Sequence, residues 1–278
     1  MKVTGKIAEL QQFVSSKSGG VLGLVPTMGA LHAGHLSLVE RARRQCDTVA
    51  VSVFVNPTQF NDKNDLRNYP RTPQQDIALL ESAGVDVVFM PEESEIYPEP
   101  DRRVFDFGNI DKVMEGATRP GHFNGVAQIV SRLFDIVKPD KAYFGEKDFQ
   151  QIAVIKAMVA QLGLSLEIVE CPIVRGEDGL ALSSRNALLD AEHRAAAPKI
   201  YAALRKGVEC MSSMTPAQVT ELVTECIDSE PLLETIYFEI VDALTLEKVS
   251  EWAGHDRIQG CAAVQAGNVR LIDNIRFV

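Results

Sequence analysis

The stretch Val21-Leu22-Gly23-Leu24-Val25-Pro26-Thr27-Met28-Gly29-Ala30-Leu31-His32-Ala33-Gly34-His35-Leu36-Ser37-Leu38 decides how the chain is read. Val21 to Val25 is an apolar run that reads as a strand. Leu36 to Arg44 has the spacing of a helix, and the residues between form a tight turn carrying two histidines. A strand feeding a helix through a short turn places free backbone N–H groups at the helix start, where they attract anions. Two imidazoles three residues apart add side-chain donors, and Gly29 and Gly34 let a ligand approach the backbone. The expected occupant is a nucleotide phosphate.

Working outward, the same alternation repeats. Apolar runs at Val21–Val25, Val49–Val55, Val85–Met90, Lys141–Phe144 and Leu166–Val169 alternate with helical patterns at Leu36–Arg44, Gln74–Ala83, Val126–Val137 and Phe149–Leu162. Such alternation predicts an α/β, Rossmann-like domain with a mostly parallel sheet and ligands at the carboxyl ends of its strands. Cys171-Pro172 marks the exit from its last strand. The pattern then changes to helices at Ala191–Met211 and Pro216–Asp228, followed by strands near Thr235–Val241, Gln259–Val264 and Val269–Ile272, with a hairpin turn at Ala266-Gly267-Asn268. The expected division is a domain of residues 1–173 and a smaller α+β domain of residues 174–278.

The chain of 278 residues, 46% hydrophobic and 24% charged, has the balance of a globular protein with real cores. Its net charge of −10 excludes a general nucleic-acid binder. No window approaches the 18 or so apolar residues of a membrane span, and Met1 to Leu10 lacks the apolar centre of a signal peptide. Cys46, Cys171, Cys210, Cys226 and Cys261 are scattered without paired metal-ligand spacing, which suits reduced thiols in a cytoplasm and no protein-held metal.

Beside the histidine pair stand three further constellations. Gly145-Glu146-Lys147-Asp148 follows a strand; Gly145 permits close approach, Lys147 brings a point charge, and Asp148 can accept from ribose hydroxyls. Its plainer reading is a charged turn complementing a helix dipole. Leu182-Ser183-Ser184-Arg185-Asn186 offers hydroxyls and a guanidinium to the β- and γ-phosphates, or is simply a capped loop. A mobile loop here would exclude water from a reactive intermediate. Gln59, at the carboxyl end of the second strand, and Gln151, one helical turn after Lys147, suit a substrate with hydroxyl and carboxylate groups; the plainer alternative is surface glutamine. Arg119 to Gly125 is a binding loop or a helix start. Arg41, Arg43 and Arg44 read as a solvated face, His193 and His255 as surface residues, and Trp252 as packing.

In this order the segments closely resemble the pantoate–β-alanine ligases. The likeness runs nearly end to end, through Pro26 to His35, Phe54-Val55-Asn56-Pro57-Thr58-Gln59-Phe60, Tyr69-Pro70-Arg71-Thr72, Gly121 to Val126, Tyr143 to Asp148, Ser183 to Asn186 and Arg270-Leu271-Ile272-Asp273-Asn274. His-x-Gly-His alone belongs to a wide nucleotidyltransferase and class I tRNA-synthetase superfamily; the glutamine segments narrow it. The resemblance implies an ATP-dependent homodimeric ligase. Pantoate attacks the α-phosphorus of Mg-ATP to give pantoyl adenylate and pyrophosphate, and β-alanine then displaces AMP. Carried over by position, Met28, Gly29, Ala30, Leu31, His32, Ala33, Gly34 and His35 bind ATP, with His32 on phosphate and His35 the proton donor. Gly145, Glu146, Lys147 and Asp148 hold the nucleotide, Lys147 on its phosphates. Val174 lies on the adenine side, and Leu182, Ser183, Ser184 and Arg185 close over the phosphates. Gln59 and Gln151 bind pantoate, Gln59 also helping to form the β-alanine site, and Mg²⁺ is held mainly by phosphates. Leu182 stands where the family commonly has methionine, a swap of similar volume and polarity.

Two rivals remain at this level. A nucleotidyltransferase acting on a phosphorylated substrate would need cationic ligands where this chain has glutamines. A silent ATP sensor would lack His35, Lys147 or the Ser-Arg segment, and all are present.

Overall fold

β2 (Leu22–Thr27), the strand of the opening stretch, lies inside a six-stranded parallel sheet ordered β1-β4-β3-β2-β5-β6 in a computed structural model that describes residues 1–17 and 19–278. Chain order is β1 (Lys2–Thr4), α1 (Ile7–Ser16), β2, α2 (Ala33–Gln45), β3 (Thr48–Val53), α3 (Lys63–Asn68), α4 (Pro73–Ser82), β4 (Val87–Phe89), α5 (Glu93–Ile96), α6 (Met114–Thr118), α7 (His122–Val137), β5 (Lys141–Gly145), α8 (Phe149–Gln161) and β6 (Glu167–Cys171). From β2 the sheet grows one way through β3 and β4, then returns to add β5 and β6 on the other side. The strand order therefore switches between β2 and β5, the place where open α/β sheets bind ligands. Thr27 pairs with Val53 and Gly145 with Cys171, so the turns after β2, β3 and β5 emerge along one carboxyl edge.

β2, β3, β4 and the middle of β5 are buried because they are apolar on both faces, as a covered parallel sheet requires. Val25, Val49, Val51, Val88 and Tyr143 are fully enclosed, with Val39 and Leu80 from the helices packed against them. The chain divides into two compact units: residues 1–107, 119–146 and 151–172, and residues 108–118, 147–150 and 173–278. The second contains α9 (Ala191–Ala196), α10 (Lys199–Cys210), α11 (Pro216–Asp228) and an antiparallel sheet of β7 (Leu233–Asp242), β8 (Ile258–Ala266) and β9 (Val269–Arg276). Leu204, Val219, Val223, Ile227, Ile258 and Val264 form its core. Gly207 lets α10 approach α11, since a Cβ there would stand 2.7 Å from Val223 Cγ2.

The two short outlying segments join the second unit through hydrogen bonds. Gln150 Nε2 donates to Ile110 O (2.7 Å) and Val113 O (2.8 Å), and Gln150 Oε1 accepts from Glu115 N (3.0 Å). Glu115 in turn pairs with Arg270 and accepts from Tyr237 Oη at 3.0 Å.

Several elements differ from the periodicity reading. α2 begins three residues early because His32 caps it, and α7 begins at His122, with Gly121 at φ +82° as its N-cap. Residues 119–125 are thus a helix start. The single helix expected over Ala191–Met211 is two, because Pro198 cannot donate a backbone hydrogen bond. Arg41 and Arg43 are not a solvated face. Arg41 donates to Glu170 O at 2.9 Å, and Arg43 donates to Asp86 at 2.7 Å. Trp252 packs as expected, stacked on Phe277 and donating to Met214 O.

Candidate active site

The turn after β2 is held by two left-handed residues, Gly29 at φ +84° and Ala30 at φ +49°. Asp76, in the first turn of α4 and 1% exposed, accepts from Ala30 N at 3.0 Å and Leu31 N at 2.8 Å. His32 then caps α2. Its Nδ1 accepts from Gly34 N at 3.1 Å, and His35 Nδ1 accepts from His32 N at 3.4 Å, a reciprocal capping box built from two imidazoles. The rings lie 4.1 Å apart between centroids.

This geometry corrects the expectation that free amides at the helix start hold the phosphate. The N–H groups of Ala30, Leu31, His32, Gly34 and His35 are all taken by protein acceptors. It also makes the plainer reading of a capping histidine true without removing the functional one. An imidazole whose Nδ1 accepts carries its hydrogen on Nε2 when neutral, so the turn is built to keep two Nε2–H donors.

Gln59 ends a 3-10 turn, Pro57–Gln59, and is 8% exposed, not a surface glutamine. Its Nε2 lies 3.3 Å from Met28 Sδ, which joins it to the histidine turn, and its Oε1 accepts from Asn56 Nδ2 at 3.2 Å. The fully buried Asn56 also donates to Gly125 O (3.1 Å) and accepts from Tyr97 Oη (2.9 Å). Burial pushes the Tyr97 hydroxyl up, which keeps it a donor. Gln59 O accepts from His122 Nδ1 at 2.8 Å. Sequence reasoning missed Asp76 and gave Asn56 and His122, inside the segments that carry the resemblance, no role of their own; each has a partner far along the chain. On the same carboxyl edge, a cavity of about 290 Å³ is lined by Met28, Gly29, Phe54, Arg71 and Asp76 among others, and not by Gln59.

Gly145 and Glu146 follow at the end of the neighbouring β5. Gln151 is half-buried in the first turn of α8. Lys147 sits in the 3-10 turn Glu146–Asp148 ahead of that helix, so it and Gln151 are not the α-helical pair expected from their spacing.

In the second unit, Lys147 Nζ lies 3.6 Å from Asp148 Oδ2, with the lysine side chain 17% and the aspartate 45% exposed. Val174 and Leu182 face each other across a small hairpin closed by Leu182 N to Val174 O (3.0 Å) and an Arg175–Ala181 bridge. Ser183 caps a 3-10 turn, Ser184–Leu188, its Oγ accepting from Arg185 N at 3.3 Å. The segment is therefore a capped loop whose Ser183 hydroxyl hydrogen is still available to donate. Arg175 grips the buried Asp273 through two nitrogens, at 2.6 and 2.9 Å; burial pushes that carboxyl up and the guanidinium opposes it. The expected residues thus form two groups: Met28 to His35, Gln59, Gly145, Glu146 and Gln151 in the first unit, and Lys147, Asp148, Val174 and Leu182 to Arg185 in the second.

The five cysteines are free, and burial raises the thiols of Cys46, Cys171 and Cys261, so these three are protonated packing groups. No helix among the described residues is long and apolar enough to cross a membrane.

The chain is similar over nearly its whole length to known proteins. Residues 2–276 match the model of the pantoate-beta-alanine ligase family. The pantothenate synthetase of Porphyromonas gingivalis is 56% identical over 100% of this chain and 99% of its own length. That of Chloroflexus aurantiacus is 48% identical over 99% and 97%. A crystal structure of the Thermus thermophilus enzyme superposes with a TM-score of 0.95 at 45% identity, covering 100% of this chain and 99% of that one. The Francisella tularensis ligase, complexed with beta-gamma ATP and beta-alanine, gives 0.85 at 38% identity, covering 100% and 98%. The chain belongs to the pantoate–β-alanine ligase family.

Proposed function

We propose that the protein condenses (R)-pantoate with β-alanine in two steps, each drawing on the donors described above. In the first, a pantoate carboxylate oxygen attacks the α-phosphorus of ATP and pyrophosphate leaves, giving pantoyl adenylate. In the second, the β-alanine amine attacks the acyl carbon, loses a proton, and expels AMP to give pantothenate. The observation that carries the reading is the imidazole capping box, because it dedicates both Nδ1 atoms to the backbone and puts the ring hydrogens on two Nε2 donors suited to negative charge on phosphate.

In this reading Met28 to His35 bind ATP, with His35 donating to the transferring group and His32 to a phosphate. Gly145 to Asp148 hold the nucleotide and Lys147 neutralises its phosphates. Val174 packs on the adenine side, and Leu182 to Arg185 close over the β- and γ-phosphates. Gln59 and Gln151 take the hydroxyls and carboxylate of pantoate, and Gln59 also borders the β-alanine site. The beta-gamma ATP and beta-alanine of the Francisella tularensis complex support these substrate classes. ATP enters as its Mg²⁺ complex. The hard oxygens of Asp148, 45% exposed beside Lys147, are the type Mg²⁺ accepts, and most of its ligands are the phosphates themselves. We further propose residues 1–173 and 174–278 as the functional halves, a homodimer, and a cytoplasmic location.

The test supplies purified protein with Mg-ATP and pantoate, with and without β-alanine, and measures AMP and pantothenate. AMP release that ignores either substrate refutes the ligase reading. His35→Ala and Lys147→Ala are each expected to slow pantoate-dependent ATP–pyrophosphate exchange by about 100-fold or more, the effect of losing a charge-stabilising donor. Near-normal exchange in either removes that residue's assigned role. Gln151→Ala should weaken pantoate binding more than ATP binding by calorimetry; equal losses would contradict the division.

A further inference from the structure

Arg270 to Asn274 carries part of the family resemblance but has no place in the chemistry above. In the structure it lies within β9, and its last two side chains are deeply enclosed, Asp273 at 5% and Asn274 at 3% exposure. Gln259 Nε2 donates to Asn274 Oδ1 at 2.7 Å, which fixes the orientation of the amide. Asn274 Nδ2 then donates to the carbonyl oxygen of Lys147 at 2.9 Å. The adjacent Asp273 is held by both terminal nitrogens of Arg175. The same guanidinium donates to Gly179 O and Asn274 O, each at 3.2 Å, and lies 3.6 Å from the centre of the Tyr201 ring. Arg175 stands at the base of the hairpin that joins Val174 to Leu182 and leads into Ser183.

Two neighbouring side chains of one strand therefore hold two separate segments. We propose that Asp273 and Asn274 are the joint that sets Lys147 in register with the Val174–Arg185 segment, and that Asn274 is a positioning residue for Lys147. The proposal rests on the phosphate role of Lys147 given above. Its physical basis is leverage. A lysine ammonium stands at the end of a four-carbon stem, so a small rotation of the backbone at Lys147 becomes a larger displacement at Nζ. Pinning the carbonyl removes that rotation without using the ammonium, which lies 3.6 Å from Asp148 Oδ2. Water is a poor substitute for a bond made by a side chain that is 3% exposed.

The experiment is a double-mutant cycle in the full-length protein, using Asn274→Ala, Lys147→Ala and the pair. Pantoate-dependent ATP–pyrophosphate exchange and thermal unfolding are followed for each. Asn274→Ala is expected to lower kcat for exchange by about 10- to 100-fold, with a smaller change in KM for ATP. In the Lys147→Ala background the same substitution should cost less than about threefold, because the group it positions is gone. Losses that multiply in the double variant, or normal exchange in Asn274→Ala beside an impaired Lys147→Ala, overturn the joint. Normal exchange in Lys147→Ala overturns instead the phosphate role, and the joint's purpose with it. Should Asn274→Ala fail to fold, Gln259→Leu serves in its place, since it removes the bond that orients the amide through Oδ1. A fall of about three- to tenfold that disappears in the Lys147→Ala background supports the proposal, and unchanged exchange overturns it.

Discussion

Asp76→Asn tests whether the histidine turn is held from outside itself. The carboxylate accepts from Ala30 N at 3.0 Å, Leu31 N at 2.8 Å and Thr72 Oγ1 at 3.1 Å, and is 1% exposed. The amide is nearly isosteric but has one oxygen where the acid has two. One of the two backbone N–H groups then faces another donor in a site with little access to water. A charge-assisted bond lost with its donor left buried costs about 2–3 kcal/mol. The loss falls on a segment with Ala30 in the left-handed region, a conformation that itself costs roughly 1–2 kcal/mol. At about 2–4 °C per kcal/mol for a chain of this size, the melting midpoint should drop by about 5–10 °C. Leu31 is bonded directly ahead of His32, so relaxation of the turn displaces the imidazoles, and a shift near 1 Å costs about 100-fold in rate. Calorimetric melting and ATP–pyrophosphate exchange measure the two effects. A variant with wild-type melting and wild-type exchange would show that the turn holds itself, and the anchoring role of Asp76 would be wrong.

The other expectations are narrower. His32→Asn retains an N-cap acceptor but loses the imidazole donor, so stability should change by less than about 0.5 kcal/mol while exchange falls by about 100-fold; loss of stability with intact exchange would reverse the assignment. Gly125→Ala places a Cβ 2.5 Å from Thr58 O and 2.8 Å from Gln59 Cα, so it should cost about 1–3 kcal/mol by urea unfolding and weaken pantoate binding. Lys138, exposed and left-handed at φ +51° at the end of α7, should gain about 0.5–1 kcal/mol in melting experiments when replaced by glycine. Asp242 is held down to about 2 by the backbone N–H of Thr245 and then by His255. A carboxyl lowered in the fold stabilises above its unfolded value of about 4 and loses that contribution as the pH falls toward about 2. Urea midpoints of Asp242→Asn should therefore be less steep than wild type across that window.

What was legible in the sequence was whatever has a local cause. The runs that became β2, β3, β5 and β6 are short apolar stretches separated by helical patterns, and that alternation is itself the signal. The order of the sheet was not local: that β5 returns to lie beside β2 follows from which faces bury one another. Among the candidate residues, the histidines, Gln59, Lys147 and Ser183 stand out in the sequence because their spacing or position after a strand is itself the signal. Asp76 does not, since an aspartate in the first turn of a helix ordinarily answers the helix dipole, and only the fold brings it beneath Ala30 and Leu31. The amides at the start of α2 illustrate the same limit. Sequence places donors there but cannot show that protein acceptors consume them.

A common device connects the candidate residues of both units. His32, His35, Lys147 and Ser183 are each fixed through an atom other than the one their proposed role uses. His32 and His35 are held by Nδ1, so each ring when neutral carries its hydrogen on Nε2. Lys147 is held by its carbonyl rather than by its ammonium, which approaches Asp148 at 3.6 Å, and Ser183 by a lone pair that accepts from Arg185 N, which leaves the hydroxyl hydrogen. Donors fixed in this way need little reorganisation as charge develops on the transferring phosphorus, and preorganisation of that kind is where much electrostatic catalysis arises. Gln59 departs from the pattern, because its side-chain oxygen accepts from Asn56 and its nitrogen points at Met28 Sδ. A thioether sulfur is a weak acceptor. In the proposed role of Gln59, a pantoate oxygen that replaced the sulfur would exchange a poor hydrogen bond for a charge-assisted one.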